Sequence, residues 1–295
     1  KEFFPDNAVH YFVSYYDYYQ PEAYIPQSDT YIEKDAKINA TIDALRHSST
    51  ASLLTRKDVL IVASVSCIYG VGSPEEYEKV SIALAPGAKL TQKELVRRLT
   101  LLQYVRNPID PRQGHFRVRE NRVEIHLPSG EEVISVEFEG AKISSIETRG
   151  ATHSPTHRPI NSPSVRIFPA KHFVTPTDKL KLAILNIKNE LSERLAELNA
   201  QGKILEAARL KQRTEFDMEM LTATGYVNGI ENYSRHLDFR DPGTPPHTLL
   251  DYFRHAYGND FLTVIDESHA TIPQLRGMYH GDRSRKQTLI NYGFR

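Results

Sequence analysis

Asp58-Val59-Leu60-Ile61-Val62-Ala63-Ser64 is a continuous run of apolar, largely β-branched residues that ends on small side chains. A strand covered on both faces has this composition, because neither face calls for polar residues. The helix-like stretch Ala36 to Leu54 precedes it, and Tyr69-Gly70-Val71-Gly72-Ser73-Pro74 breaks the chain after it. A second run of the same kind, Phe261-Leu262-Thr263-Val264-Ile265, leads into Asp266-Glu267. Buried parallel strands alternating with helices predict an α/β architecture.

Between these runs the texture changes. From about Lys79 to Phe168 a short helix (Thr91 to Leu102) leads into alternating segments, His115 to Ile125 and Glu132 to Glu139, that read as antiparallel hairpins with one solvated face. Glu120-Asn121 is expected to be a turn, and Arg149 to Ser164, rich in Pro, Ser and Thr, a mobile surface loop. Thr175-Pro176-Thr177-Asp178 signals a helix start, and Leu180, Ile184, Ile187, Leu191, Leu195 and Leu198 then form one apolar stripe. Gly202 and Gly225 are expected to end that helix and the next. The expected division is 1–79 (core with a Tyr-rich hairpin at about 14–35), 80–168 (inserted domain), 169–259 (helical subdomain) and 260–295 (return to the core).

Lys plus Arg equals Asp plus Glu, 37 against 37, so no global positive field gathers a polyanion, and any nucleic-acid contact must be local. The single cysteine, Cys67, excludes an internal disulfide framework and sits in an apolar run, where a buried inert thiol is expected. No apolar stretch approaches the roughly 20 residues a membrane span needs, and a cytoplasmic protein is expected. The chain opens on Lys1-Glu2-Phe3-Phe4 without Met and stops at Tyr292-Gly293-Phe294-Arg295, so we expect a piece of a longer protein.

Three groups of residues carry chemistry. Asp266-Glu267-Ser268-His269 follows an apolar run, and acids at the carboxyl end of a parallel strand project into the crevice where α/β folds bind ligands. Asp266 there either helps hold Mg²⁺, with Glu267 as a base for water, or simply caps a helix. No G-x-x-x-x-G-K-[ST] occurs in the chain, so a nucleotide-binding loop would lie upstream of Lys1, and the fragment is expected to hold neither ATP nor Mg²⁺ and not to hydrolyse ATP.

The second group is Tyr15-Tyr16-Asp17-Tyr18-Tyr19-Gln20-Pro21-Glu22-Ala23-Tyr24, continuing to Tyr31-Ile32-Glu33-Lys34-Asp35: six tyrosines in 17 residues. Strand-prone arms around a Pro/Gln/Ser middle predict a β-hairpin, with arms reaching roughly 20 Å. A phenol ring stacks on any base, at about 1–3 kcal/mol each, without reading sequence. An aromatic core is the alternative, but Tyr15, Tyr16, Tyr18 and Tyr19 cannot all face one side of a strand. The third group is Arg106, Arg117 and Arg119, the last two sharing a strand face: a solvated edge, or a protein-binding patch. His153 and His157 sit in the Pro/Ser-rich loop and predict no metal site.

With these residues in view the chain resembles the bacterial UvrB family. The resemblance is carried by Ala8-Val9 and Tyr11 to Tyr24, Tyr31 to Ala36, Val62 to Ser66 with Ile68-Tyr69-Gly70, Gly229 to Arg235, Asp266 to His269, Gly277-Met278-Tyr279 and Tyr292 to Arg295. It implies a P-loop helicase-type core holding part of a parallel sheet, a protruding β-hairpin, a helical subdomain and an inserted α+β domain that docks onto UvrA. It implies damage recognition in nucleotide excision repair, with DNA received from UvrA and UvrC recruited for incision, the UvrB-type subunit not being the nuclease. Tyr15, Tyr16, Tyr18, Tyr19, Tyr24, Tyr31, Glu22, Lys34 and Arg46 match DNA-handling positions. Arg106, Arg117, Arg119 and Glu137 match UvrA-binding positions, and Asp266 and Glu267 match the Mg²⁺-holding and water-activating pair of an ATP site in the intact protein. The competing readings are the UvrA-binding module of the transcription-repair coupling factor Mfd, which lacks ATP chemistry, and an unrelated RNA helicase core; the Tyr15 to Tyr24 run argues against both.

Overall fold

Asn39 accepts hydrogen bonds from the amides of Thr41 and Ile42, and the first helix therefore starts at Ala40, four residues later than its apolar pattern suggests. The computed structural model describes residues 1–14, 16–150, 160–161, 163–173 and 175–295, and the chain is a mixture of helix and sheet. His153, His157 and Tyr15 lie outside the described residues, as does most of the expected loop at 149–164.

The first six strands are β1 (Ala8–Phe12), β2 (Tyr16–Gln20), β3 (Ala23–Ile25), β4 (Thr30–Ile32), β5 (Asp35–Ile38) and, beyond helix α1 (Ala40–Thr55), β6 (Val59–Ala63). Helix α2 (Pro74–Lys79), β7 (Ile82–Leu84) and α3 (Gln92–Leu101) follow. A strand-rich stretch comes next: β8 (Val105–Arg106), β9 (His115–Arg119), β10 (Arg122–His126), β11 (Glu132–Glu139), β12 (Lys142–Gly150), β13 (Ile160–Asn161) and β14 (Val165–Ile167). The remainder is helical: α4 (Thr177–Ala200), α5 (Ile204–Thr224), α6 (Ser234–Leu237), α7 (Leu249–Tyr257) and α8 (Ser268–Asn291). These elements form two units, 1–15 with 38–176 and 245–259, and 16–37 with 177–244 and 260–295. Segment 80–168 falls wholly in the first unit, whereas 1–79 and 169–259 are each shared between the two.

In the first unit β1 runs parallel to β6, Ala8 opposite Val59 and Phe12 opposite Ala63. α1 packs on this pair and α7 on α1, with Phe12, Leu53, Tyr77, Phe168, Leu249 and Tyr252 in the core. β6 was expected to be central, yet β1 is its only strand neighbour among the described residues, and Val62 and Ala63 are exposed. A second core lies under a six-stranded sheet ordered β13-β12-β11-β10-β9-β8, antiparallel except for the parallel β8–β9 pair. Phe116, Val123 and Ile125 alternate inward from β9 and β10 and meet Leu95 and Leu99 of α3, whose first turn is capped by Thr91. Glu120 takes the left-handed conformation at the expected turn. The other face is polar without being fully solvated, since Glu124 and Ser135 are buried.

In the second unit β3 and β4 pair antiparallel, Tyr24 opposite Tyr31, around a 3-10 turn at Pro26–Ser28. β2 pairs with β5. α4 and α5 pack through Leu191, Leu195, Leu198, Ala207 and Leu210 around the turn at Gly202. The expected second parallel strand is not formed: Phe261–Ile265 is irregular, with Leu262 86% and Val264 78% exposed. An apolar run suits a buried strand, but a strand exists only where another supplies its hydrogen bonds, and no described strand lies beside this one.

Candidate functional site

The tyrosines divide by environment. Tyr18 and Tyr19 on β2 are each 50% exposed, and Tyr31 on β4 is 40% exposed. Tyr18 donates to Gln20 Oε1 at 2.9 Å, and Tyr24 donates to Asp29 Oδ1 at 2.6 Å, bracing the 3-10 turn. Phe294 stacks on Tyr31, with centroids 4.5 Å apart and planes at 9°, and also meets Tyr24 at 4.9 Å. Arg209 lies over the outer side of this group, its guanidinium carbon 4.9 Å from the Phe294 centroid. An open groove of about 590 Å³ runs beside them, lined by Tyr31, Arg209, Gln212, Arg213, Phe216 and Phe294. Aromatic faces and cations thus line one concave surface of the second unit.

Glu22 and Lys34, the charged members of this segment, are internal ties. Glu22 is 2% exposed and accepts from Tyr31 Oη at 2.6 Å, from Arg213, and from Arg295 Nε at 3.2 Å. Arg285 of α8 donates to its backbone carbonyl. Burial by itself would raise the Glu22 carboxyl, but the Tyr31 and Arg213 hydrogen bonds and the Arg213 and Arg295 charges outweigh it and hold the group below its ordinary value. Lys34 forms an ion pair with Glu231. The Lys34 side chain stays partly exposed in that pair.

Arg46 is also internal. It is 5% exposed, its guanidinium lies 4.1 Å from the Phe12 ring centroid, and its Nη1 donates to the Val13 carbonyl at 2.9 Å. The resemblance implies a DNA-handling residue; the structure gives Arg46 the task of holding the backbone two residues before Tyr15.

The arginines of the polar sheet face differ in the same way. Arg117 is paired at 2.6 Å with buried Glu124, which Arg149 shares at 3.3 Å. Glu137 is taken by Arg122 and by Ser145 Oγ at 3.1 Å. Arg106 and Arg119 are exposed. Asp266 and Glu267 lie in the turn before α8, both exposed, with Asp266 Oδ1 accepting from the Glu267 amide at 3.0 Å and Glu267 Oε2 3.3 Å from His269 Nδ1. Cys67 is half-buried on a 3-10 turn, and burial pushes its thiol up, which keeps it protonated and unreactive.

One cluster escaped sequence reasoning. Asp43, His47 and His172 bring ligand-type atoms within 4.8 Å of one another, from positions 125 residues apart for the two histidines. The His47 and His172 rings are stacked at 3.9 Å and 16°, continuing onto Tyr77 and Phe168. A metal ion lies in the plane of each imidazole that binds it, and two nearly parallel planes share no such point; the cluster packs and does not chelate. The only local signal was the i,i+4 spacing of Asp43 and His47, which says nothing of His172. Burial pushes His47 down to about 4 and His172 well below its ordinary value, and lowers His10 and His126 as well. A folded pKa below the unfolded one means that the unfolded chain takes up protons first as pH falls, so stability is lost between about pH 6.5 and pH 4. At pH 5 His47 alone is expected to cost about 2 kcal/mol relative to pH 7. Urea midpoints across this range check it: His47→Asn should show a shallower pH dependence, and equal slopes would reject the assignment.

Residues 82–173, in the first unit, match the profile described as the UvrB interaction domain, and residues 178–239, in the second, the one described as the UvrB third helical domain. The proteins named UvrABC system protein B from Geobacillus kaustophilus and Bacillus caldotenax are each 60% identical across the whole chain, which covers 44% of each. That of Gloeobacter violaceus is 56% identical, with 42% of its length covered. The chain spans less than half the length of these curated relatives. With both domain profiles matched and high identity running from one end of it to the other, this chain belongs to the UvrB family.

Proposed function

We propose that the chain probes DNA and docks a repair partner within a nucleotide excision repair protein of the UvrABC type. The observation that carries this is the exposure of Tyr18 and Tyr19 on β2, each half exposed, with Tyr31 on β4 partly exposed. Exposed phenols stack on bases of any sequence, which suits a protein that inspects DNA for damage irrespective of context. Tyr15, Tyr16 and Tyr24 belong to the same probing segment, which serves as a β-hairpin slipped between the strands, while Glu22, Lys34 and Arg46 position it. Segments 1–79 and 260–295 contribute to a P-loop helicase-type core, 80–168 is the UvrA-docking insert and 169–259 a helical subdomain. In the intact protein UvrA delivers DNA and UvrC is recruited for incision. Among the described residues no helix is long and apolar enough to cross a membrane, and action on DNA makes the cytoplasm the working compartment.

An ATP site in the intact protein would use Asp266 and Glu267. Two exposed carboxylates in one turn suit a hard divalent cation by donor chemistry. Asp266 would hold Mg²⁺ and Glu267 would accept a proton from water, the nucleotide supplying phosphoanhydride cleavage when bound. A phosphate cradle must come from elsewhere, since the chain has no Gly-rich loop ending in Gly-Lys-Ser or Gly-Lys-Thr.

In the full-length protein, Tyr18→Ala with Tyr19→Ala is expected to weaken loading onto a damaged duplex by about tenfold or more, at about 1–3 kcal/mol per stacked base. UvrA docking should survive. Equal loading by the variant and the parent protein would sink the probing role.

A further inference from the structure

Helix α8 concentrates cations in a chain whose charges otherwise balance. Between Ser268 and Asn291 stand Arg276, Arg283, Arg285 and Lys286 against a single acid, Asp282. That acid is spent: Arg285 Nη2 and Lys286 Nζ each lie 2.6 Å from its carboxylate. Arg285 also donates to the Glu22 carbonyl, and α8 packs against β3 with Leu289 buried. The inner side of the helix is thus fastened to the tyrosine-rich segment.

The outer side faces water. Arg276, His280 and Arg283 are all exposed, and at 3.6 residues per turn they fall within about 60° of one another. Among the described residues neither Arg276 nor Arg283 has a carboxylate partner. Asp282 projects about 100° away from Arg283. Asp266 and Glu267 precede the first turn, about 13 Å or more from Arg276 along the axis, and Glu267 is paired with His269 at 3.3 Å. Glu22, just before β3, is buried against Arg213 and Arg295. The helix dipole gives no reason for these arginines, because it favours cations in the last turn and none stands there. Gly277 and Gly281 interrupt the same stretch, although glycine is less favourable than alanine inside a helix. A Cβ at either would meet nothing within 4 Å, so packing does not ask for them. They keep the helix surface low beside Arg276 and His280, where an extended backbone can come close.

We propose that the outer face of α8 carries the phosphate backbone of an unpaired DNA strand, with Arg276 and Arg283 as its counter-charges and His280 as a hydrogen-bond donor between them. This rests on the probing role proposed above and adds to it the charge that phenols lack. The exposed tyrosines take the bases, and the arginines hold the backbone without reading sequence.

The test is titration of the full-length protein with a single-stranded oligonucleotide of mixed sequence over a range of salt. Arg276→Gln with Arg283→Gln should weaken binding by about tenfold at low salt and flatten the slope of log affinity on log salt by about 1.4, at roughly 0.7 per phosphate. Arg276→Lys with Arg283→Lys should keep the parent slope. Both pairs are exposed, so thermal melting should match the parent. Tyr18→Ala with Tyr19→Ala should lower affinity by a similar factor at every salt concentration, because stacking releases no counterions. If the glutamine pair keeps the parent slope while the tyrosine variant binds weakly, the backbone track on α8 is overturned and the probing role stands. Equal losses in the lysine and glutamine pairs would also overturn it, since charge would not be what was removed. A flattened slope beside a tyrosine variant that binds like the parent would leave the track in place and reject the probing role.

Discussion

Glu22→Ala is expected to destabilise the second unit by about 3 kcal/mol, because removing one member of a buried ion pair leaves the other charges uncompensated. The carboxylate is 2% exposed and joins strand to helix to chain end: Tyr31 on β4, Arg213 on α5 and Arg295 all converge on it. Without it, Arg213 keeps the Phe294 carbonyl as acceptor at 2.7 Å but loses its counter-charge. The cost is set at the lower end of the range for buried pairs because Arg213 and Arg295 are partly solvated. Glu22→Gln, which keeps an acceptor of the same shape, should lose about half as much. Hydrogen exchange of the β3 and β4 amides, with chemical denaturation of the whole chain, measures both. A loss under about 1 kcal/mol for the alanine variant would show that the arginines find other partners. The stabilisation also carries a pH signature. Because the folded carboxyl lies below its unfolded value, its contribution is complete above the unfolded pKa and is lost as pH falls through the folded one.

Gly293→Ala should be at least as damaging, by about 3 kcal/mol or more, for a reason that has nothing to do with charge. Gly293 has φ of 73°, and a Cβ there would sit 2.3 Å from the Glu206 carbonyl oxygen and 2.6 Å from its Cα. Those are backbone atoms of α5 and cannot rotate aside. The turn after α8 would have to lift away, pulling Phe294 off Tyr31 and breaking the bond from Arg213 to the Phe294 carbonyl. Gly243→Ala is the control: its φ is 83° but nothing lies within 4 Å of the added carbon, so only left-handed strain of about 1 kcal/mol is expected. If the two variants melt alike, close packing against α5 is not what Gly293 serves. Because Phe294 backs Tyr31, Gly293→Ala should also weaken DNA loading, although residue 293 touches no nucleic acid in the proposed role.

Much was legible without coordinates wherever neighbours in sequence decide the outcome. The alternation over β9 to β11, the turn at Glu120-Asn121, the start of α4 and the stripe packing α4 on α5 all follow from periodicities and caps within one stretch of chain. The family was equally legible, since identity of residues needs no geometry. Local chemistry was a poorer guide to the role of each charged group. The partner that each meets in the fold, Arg213 for Glu22, the Val13 carbonyl for Arg46 and Glu124 for Arg117, was not legible in the sequence.

What the sequence by itself determined here is α1, α3, α4 and α5, the hairpins of β9 to β11 and the richness of one segment in tyrosine. Tertiary structure alone decided which ions are spent inside, which rings remain in water, and that His47 stacks on His172 from 125 positions away. It also decided that Phe261–Ile265 is no strand while Val59–Ala63 is one, since β1 lies beside the second and no described strand beside the first. The physical reason is common to all of these: a helix closes its hydrogen bonds and a side chain meets its i+4 neighbour within one stretch. A ladder, an ion pair or a stacked ring needs an atom that only the folded chain brings near.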